Sequence, residues 1–132
     1  MAKSGKIRGI TIELNADTAG IMDGLKDINK SLGDTQRALN DVNKLLKLDP
    51  GNVTLLGQKQ EYLTEAIDKT KEKLEEEKQL LESLKTADNA SETIEQQKAL
   101  EREIESTSQQ LNKYTEEMDK TTSALEKMGE GS

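Results

Sequence analysis

The chain has 132 residues, of which 34% are charged and 32% hydrophobic, and its formal net charge is −7. It contains two Tyr and no Phe, Trp, Cys or His. This composition excludes disulfide frameworks and thiol nucleophiles, and it removes the commonest general base and zinc ligand. So little apolar material cannot fill a broad core, but it can line the seams between long helices.

Charge and hydropathy also limit the partners. A net charge of −7 repels a nucleic-acid backbone. The one basic cluster, Lys3, Lys6 and Arg8, has no aromatic neighbours and is expected to be a solvated tail. No apolar run long enough to cross a membrane is present, and the N-terminus has no apolar segment of the Sec type. The partners are therefore predicted to be proteins only, with no cofactor.

The first predicted element is a short β-strand within residues 6–14. Apolar side chains alternate with polar ones there, which is the period of a strand. No other segment has this pattern, and a lone strand cannot satisfy its own backbone. It is expected to pair with another copy, to pair with a different protein, or to lie against the helices. The candidate pairing edge is Ile10, Ile12 and Leu14.

A long amphipathic helix is predicted over residues 18–48. Asp17 or Thr18 is the expected N-cap, and apolar or β-branched residues then recur in a four-heptad pattern. Leu45 and Leu48 are expected to widen the apolar stripe near the end of this helix, and Leu55, Tyr62 and Ala66 are expected to widen it on the other side of the following turn. The predicted seam positions of this helix are Ile21, Leu25, Ile28, Leu32, Leu39, Val42 and Leu46.

A turn at residues 49–52 and a second helix over 53–86 follow. The turn is formed by Asp49, Pro50, Gly51 and Asn52: proline stops the first helix, glycine tolerates any backbone sign, and asparagine caps the next helix. So short a connection predicts antiparallel neighbours. The acidic run 75–77 is expected to be a solvated helix face. The seam of the second helix has two heptad series: one consists of Leu56, Leu63, Thr70, Glu77 and Leu84, and the other of Val53, Gln60, Ile67, Leu74 and Leu81. The predicted seam positions are Leu56, Leu63, Ile67, Leu74, Leu81 and Leu84.

A second break is predicted near residues 87–90, with Asn89 and Glu92 as a capping box. The heptad register shifts by two residues across this stretch, which is neither a stutter nor a stammer. A third helix is expected over 91–127, although whether it folds back is left open. Residues 129–132 are expected to be a flexible end left by truncation of a longer chain. The seam of the third helix has a second, more polar heptad series at Leu100, Thr107, Tyr114, Thr121 and Met128, which makes this helix the least apolar of the three. The predicted self-association positions are the apolar series, Ile104, Leu111, Met118 and Leu125.

These segments predict a mainly α fold, with an N-terminal tail and strand at 1–15 and an antiparallel helical hairpin or three-helix coiled-coil-like bundle at 16–128. No nucleophile-elbow, Ser-x-x-Lys or Walker motif occurs, so the chain is predicted not to be an enzyme. The first helix alone could form a parallel coiled coil between copies, whereas the turn favours pairing within the chain. The oligomeric state therefore stays open.

Three stretches resemble the N-terminal region of tail tape-measure proteins of long-tailed phages and prophages of Gram-positive bacteria. They are "GITIEL" at Gly9–Leu14, "ADT" at Ala16–Thr18 and "LLKLDPGNVTLLGQKQ" at Leu45–Gln60. A later stretch, "QQKALEREIESTSQQLNKYTEEM" at Gln96–Met118, is similar more loosely. The resemblance covers nearly all of this chain and would cover only the start of a typical family member.

The resemblance implies a structural protein of the virion. Family members lie in the lumen of the tail tube, set tail length, and are assembled in the bacterial cytoplasm. It implies self-association and contacts with the tail tube, the tail tip or tail assembly chaperones. As one continuous helix, 132 residues would span at most ~200 Å, so the chain is interpreted as an assembly or docking module rather than a whole ruler. The alternative is a helical coiled-coil adaptor or scaffold unrelated to phage.

Overall fold

A computed structural model describes residues 3–130 of the chain, which form a β-hairpin followed by three long helices. This confirms the predicted fold class, a mainly α bundle with a short N-terminal β element. Residues 1–2, in the predicted tail, and 131–132, in the predicted flexible end, lie outside the described residues. The elements are β1 (Lys3–Ile7), β2 (Ile10–Leu14), α1 (Ala16–Leu48), α2 (Val53–Thr86) and α3 (Ile94–Glu130), with a 3₁₀ turn at Ala90–Thr93 before α3.

The predicted strand has a partner immediately before it in the chain. β1 pairs antiparallel with β2, in a register that places Gly5 opposite Ile12 and Ile7 opposite Ile10. Arg8 and Gly9 both have positive φ, 50° and 81°, as a two-residue type I′ hairpin turn requires. The expectation of a single strand was therefore wrong. The sequence of β1 carries no strand signal, because Lys, Ser and Gly are not typical strand residues.

The same hairpin corrects one part of the prediction of a basic solvated tail: Lys6 and Arg8 are exposed to solvent, but their segment is a β-hairpin rather than a tail. Lys3 and Lys6 belong to β1, and Arg8 is the first residue of the turn. The Arg8 side chain is paired with a carboxylate of α3, Glu103, at 3.4 Å from Nη1 to Oε2. The basic residues are thus part of an ordered element that contacts the helices.

Helix α1 begins at Ala16, two residues earlier than predicted, and its N-cap is Asn15 rather than Asp17 or Thr18. The Thr18 backbone N–H donates to the Asn15 side chain at 2.9 Å, and the Asn15 backbone N–H donates to the Thr18 hydroxyl at 2.8 Å. This reciprocal pair satisfies two groups that a helix start otherwise leaves unpaired. Asn15 therefore fixes the direction in which α1 leaves the hairpin.

The connection between α1 and α2 follows the predicted turn. Helix α1 ends at Leu48, and the Asp49 backbone N–H still donates to the Leu45 carbonyl oxygen at 3.1 Å. Asn52 is the N-cap of α2, because its side chain accepts a hydrogen bond from the Leu55 backbone N–H at 3.1 Å. The proline and glycine between them let the chain reverse within four residues.

The second break lies at residues 87–89, and α3 folds back along α2. The predicted capping box does not form, since Asn89 makes no side-chain cap. Gln97, from the first turn of α3, instead donates to the Ala90 carbonyl oxygen at 2.9 Å and to the Thr93 hydroxyl at 3.0 Å. Helix α3 continues to Glu130, three residues beyond its predicted end, and so includes residues 129–130 of the segment that was expected to follow it.

Helix α2 is the central helix of the bundle. Both α1 and α3 pack along it, and within residues 3–130 no Cα atom of α1 lies within 8 Å of one of α3. The hairpin lies across α1 and α3 at the end of the bundle where α1 begins. Ile12 and Leu14 of β2 join Leu80 and Leu84 of α2 in one apolar cluster there, and two smaller clusters continue toward the α1–α2 turn.

Candidate functional site

The predicted seam positions of α1 lie along its contact with α2. Five are buried and two, Ile21 and Leu32, are half-buried against the apolar clusters. The structure adds Thr18, Ala19, Met22 and Thr35 to the buried face. Met22 contacts the hairpin, since a Cβ added at Gly5 would lie 2.8 Å from its terminal methyl group. The buried predicted residues of α1 are Leu25, Ile28, Leu39, Val42 and Leu46.

On α2 the structure separates the two predicted heptad series. The series beginning at Leu56 is buried throughout, including Thr70 and Glu77. The other series is less buried, and the most buried side chains beside the first series are Ala66 and Leu80, both at 0% exposure. Central α2 must contact α1 on one side and α3 on the other, so its buried stripe is shifted and widened. The half-buried positions are Ile67, Leu74 and Leu81, and the buried ones are Leu56, Leu63 and Leu84.

On α3 the more polar heptad series faces the core. Leu100, Thr107, Tyr114 and Thr121 are buried, whereas all four seam positions that we predicted are half-buried. Threonine is tolerated there because its hydroxyl donates to a backbone carbonyl one turn earlier, as in the 2.9 Å bond from Thr107 to Glu103. Of the two series predicted for this helix, the more polar one is therefore the more buried, and the apolar one lies beside it, at Ile104, Leu111, Met118 and Leu125.

The predicted pairing edge is occupied on one side by β1. Ile12 and Leu14 are buried toward the helices, and Ile10 is half-buried opposite Ile7. In an antiparallel hairpin closed by a two-residue turn, Thr11 and Glu13 direct their N–H and C=O groups away from β1. No backbone hydrogen bond from the rest of residues 3–130 meets these groups. The outer edge of β2 therefore remains open to a further strand.

A polar cluster lies beneath the tip of the hairpin. Glu103 of α3 is shared by two cations, Arg8 at 3.4 Å and Lys73 of α2 at 3.9 Å. Glu77 of α2 lines the same cavity of about 180 Å³. Its side chain is 2% exposed, so the expectation that residues 75–77 form a solvated face is wrong for Glu77. The cluster joins the hairpin to α2 and α3 and places carboxylates at the edge of the core.

The carboxyl group of Glu77 is held in an unusual environment. Burial raises its pKa to about 7; the neighbouring Thr107 and Lys73 oppose this change, and the Glu103 carboxylate adds to it. Oε1 of Glu77 has no hydrogen-bond partner among the described residues. Burial, followed by the Glu72 carboxylate, also raises the pKa of Glu76, and a Cβ added at Gly24 would lie 2.8 Å from Oε2 of Glu76. Gly24 thus permits the close approach of α1 to an α2 carboxylate.

Apolar side chains are exposed around the α1–α2 turn. Leu48 is 85% exposed and Val53 56% exposed, and Leu45 and Met128 are also exposed. Leu45 and Leu48 therefore do not widen the buried stripe, contrary to expectation. A Cβ added at Gly51 would lie 3.8 Å from the side chain of Met128, so the end of α3 reaches this turn. This end of the bundle therefore presents apolar surface, and we call it the apolar pole. It carries the predicted turn residues Asp49, Pro50, Gly51 and Asn52.

The described side chains include no group of three or more acidic residues arranged to hold a metal ion. Between residues 3 and 130, no helix combines the length and hydropathy needed to cross a bilayer. The surfaces that remain are the open β2 edge, the apolar pole and the faces of α1 and α3 that α2 does not cover. Comparison with protein families, with curated proteins and with solved structures finds no match for this chain.

Proposed function

We propose that the chain is an N-terminal assembly or docking module of a tail tape-measure protein. The observation that carries this proposal is the reversal of the chain at residues 49–52, inside the stretch that most resembles the family. A ruler must run straight, whereas here each helix folds back on the one before. Helix α2 has 34 residues, which corresponds to ~50 Å, far less than one continuous helix would span.

The surfaces of the bundle support a role in protein contacts. The backbone groups of β2 at Thr11 and Glu13 have no partner within residues 3–130, and a free strand edge can accept a strand from another chain. Leu48 and Val53 expose apolar side chains at the opposite pole. Potential binding surfaces at both ends of the module are consistent with a protein that self-associates or binds the tail tube, the tail tip or assembly chaperones. In this proposal the protein is located in the tail lumen of the virion.

Purified tails provide the test. Tails would be isolated from a lysogen that encodes the chain, treated with a lysine-reactive cross-linker and analysed by mass spectrometry. We expect peptides from residues 3–130 in the particles, cross-linked to tail proteins, and we expect an in-frame deletion of the gene to abolish tail assembly. Absence of these peptides from tails, together with normal assembly in the deletion strain, would overturn the proposal. Presence of the same chain in a bacterium without prophages would favour the adaptor alternative.

A further inference from the structure

A cleft runs along one side of the bundle, between α1 and α3. It exists because both helices pack on α2 and do not contact each other through their backbones within the described residues. At the end where α1 begins, the hairpin lies across both helices and fills the cleft. Nearer the α1–α2 turn, no other segment of residues 3–130 covers it. The extended backbone of the hairpin thus occupies only part of the cleft.

The uncovered part contains two adjoining cavities with volumes of about 630 and 360 Å³. Both are lined by Asn43 of α1, Lys59 of α2 and Glu117 of α3, so they form one continuous depression, which we call the open groove. Its floor includes Leu63 of α2. The hydroxyl of Tyr114 from α3 donates to Gln36 of α1 at 2.6 Å, which ties the two walls together near the inner end of the groove.

Amide side chains line the α1 wall. Gln36, Asn40 and Asn43 follow one another at helical spacing on the face toward α3. Gln36 is engaged within the protein, since its Oε1 accepts from Tyr114 and its Nε2 donates to Asn40 Oδ1 at 3.1 Å. The amide N–H groups of Asn40 and both polar ends of the Asn43 amide are therefore the groups that can meet the N–H and C=O groups of an extended peptide backbone. Gly33, one turn before Gln36 on the same face, has open space where a side chain would be, since a Cβ there would meet nothing within 4 Å. The wall is therefore polar, regular and sterically accessible.

The charge of the open groove differs from that of the whole chain. Four lysines and two glutamates line it, whereas the chain carries a net charge of −7. Lys59 is held on the floor by an ion pair with Glu117 at 3.2 Å, and its side chain is 16% exposed. Lys44, Lys47 and Lys113 stand on the exposed rims. A partner rich in carboxylates would meet a locally positive surface on an otherwise acidic protein.

We propose that the open groove binds an extended, acidic segment of a partner protein. Its backbone lies along the amides of α1, and its carboxylates pair with Lys44, Lys47 and Lys113. At the other end of the cleft, the hairpin already packs extended backbone across α1 and α3. The proposed peptide would lie in the cleft in a similar way. The inference rests on the proposed function as a docking module and names the chemistry of one partner.

A fluorescein-labelled octaglutamate peptide is the probe, titrated with the full chain and followed by fluorescence anisotropy. The groove variant is Lys44→Glu/Lys47→Glu/Lys113→Glu, all at exposed positions. The matched control is Lys71→Glu/Lys78→Glu/Lys85→Glu, which makes the same change in net charge at exposed positions of α2 outside the groove. We expect the groove variant to bind at least about tenfold more weakly, equivalent to ~1.4 kcal/mol, and the control to bind nearly as the original chain does.

A second variant, Asn40→Ala, tests the backbone contact without changing charge, and we expect it to weaken binding of the peptide several-fold. Circular dichroism verifies that each variant keeps its helicity. No saturable binding of the peptide, or equal losses in the two triple variants, would contradict the proposal. Tighter binding of a single-stranded oligonucleotide of equal charge would instead identify a general polyanion surface. None of these outcomes alters the tail-particle experiment, so the two proposals can fail separately.

Discussion

The hydroxyl of Tyr114 on α3 donates a hydrogen bond of 2.6 Å to Oε1 of Gln36 on α1, across a gap that the backbones of these helices do not close. Tyr114 is 8% exposed and packs in the cluster that contains Leu39 and Leu63. This single side chain therefore contributes to the apolar core and also links the two outer helices. The bond also borders the open groove, because both residues line its inner cavity.

Removing that hydroxyl should weaken the bundle modestly. We expect Tyr114→Phe to lower the free energy of unfolding by ~1 kcal/mol, because the ring keeps its packing while one net hydrogen bond is lost. Urea denaturation followed by circular dichroism measures the change. Tyr62→Phe is the matched control, since the Tyr62 hydroxyl makes no hydrogen bond within residues 3–130. Equal losses in the two variants would show that the Gln36 contact contributes nothing specific.

The orientation of α3 can be tested with two leucines on the same helix. Leu100 is fully buried, whereas Leu111 is half-buried on the flank of the seam. We expect Leu100→Ala to cost about 2–5 kcal/mol of stability and Leu111→Ala clearly less, because the cavity and the lost apolar contact are smaller at the flank. Thermal and urea unfolding measure both variants. A larger loss at Leu111 would mean that α3 is rotated relative to the structure.

The buried carboxyl group of Glu77 should make stability depend on pH. Its pKa is raised from 4.5 to about 7 in the folded chain, so folding favours the protonated form. The resulting stability is fully present below pH 4.5 and is lost as the pH rises through 7, by up to ~3 kcal/mol. We expect Glu77→Gln to be more stable than the original chain at pH 8 and to lack this part of the pH dependence.

The measurement is the difference in unfolding free energy between variant and original chain, in urea, at several values from pH 4 to pH 8. Taking the difference cancels the contribution of the other carboxylates. Glu75→Gln is the control, because Glu75 is exposed on the neighbouring position of α2. If the difference for Glu77→Gln stays constant across this range, the Glu77 carboxyl does not titrate as the structure indicates.

Two glycines should respond to alanine with opposite signs. Gly9 has φ of +81° in the hairpin turn, where alanine is strained, so we expect Gly9→Ala to destabilise the protein by ~1 kcal/mol or more. Gly33 lies inside α1 with open space around it, so Gly33→Ala should stabilise the helix by up to ~1 kcal/mol. Thermal unfolding monitored at 222 nm, the usual helix wavelength, separates the two. If Gly33→Ala destabilises the protein, the space beside Gly33 is too small for the added methyl group.

The sequence by itself determined the helical segments, the reversal at residues 49–52 and the cap at Asn52, because heptad spacing, proline and a capping side chain act within a few residues along the chain. It also indicated β2 through its alternating side chains. It did not reveal β1, whose polar residues form a strand only because β2 and the helices are beside it. Nor did it select Asn15 over its neighbours as the cap of α1, since several residues there could cap a helix.

Only the tertiary structure decided which face of each helix is buried and how the helices are arranged. A heptad pattern with two candidate series allows more than one rotation, and the choice depends on whether a helix has one neighbour or two. Central α2 has two, so its buried stripe extends to Leu80, while α3 turns inward the series that contains Thr107 and Tyr114. Burial of Glu77 and the cleft between α1 and α3 follow from the same packing, which brings together residues far apart in the chain.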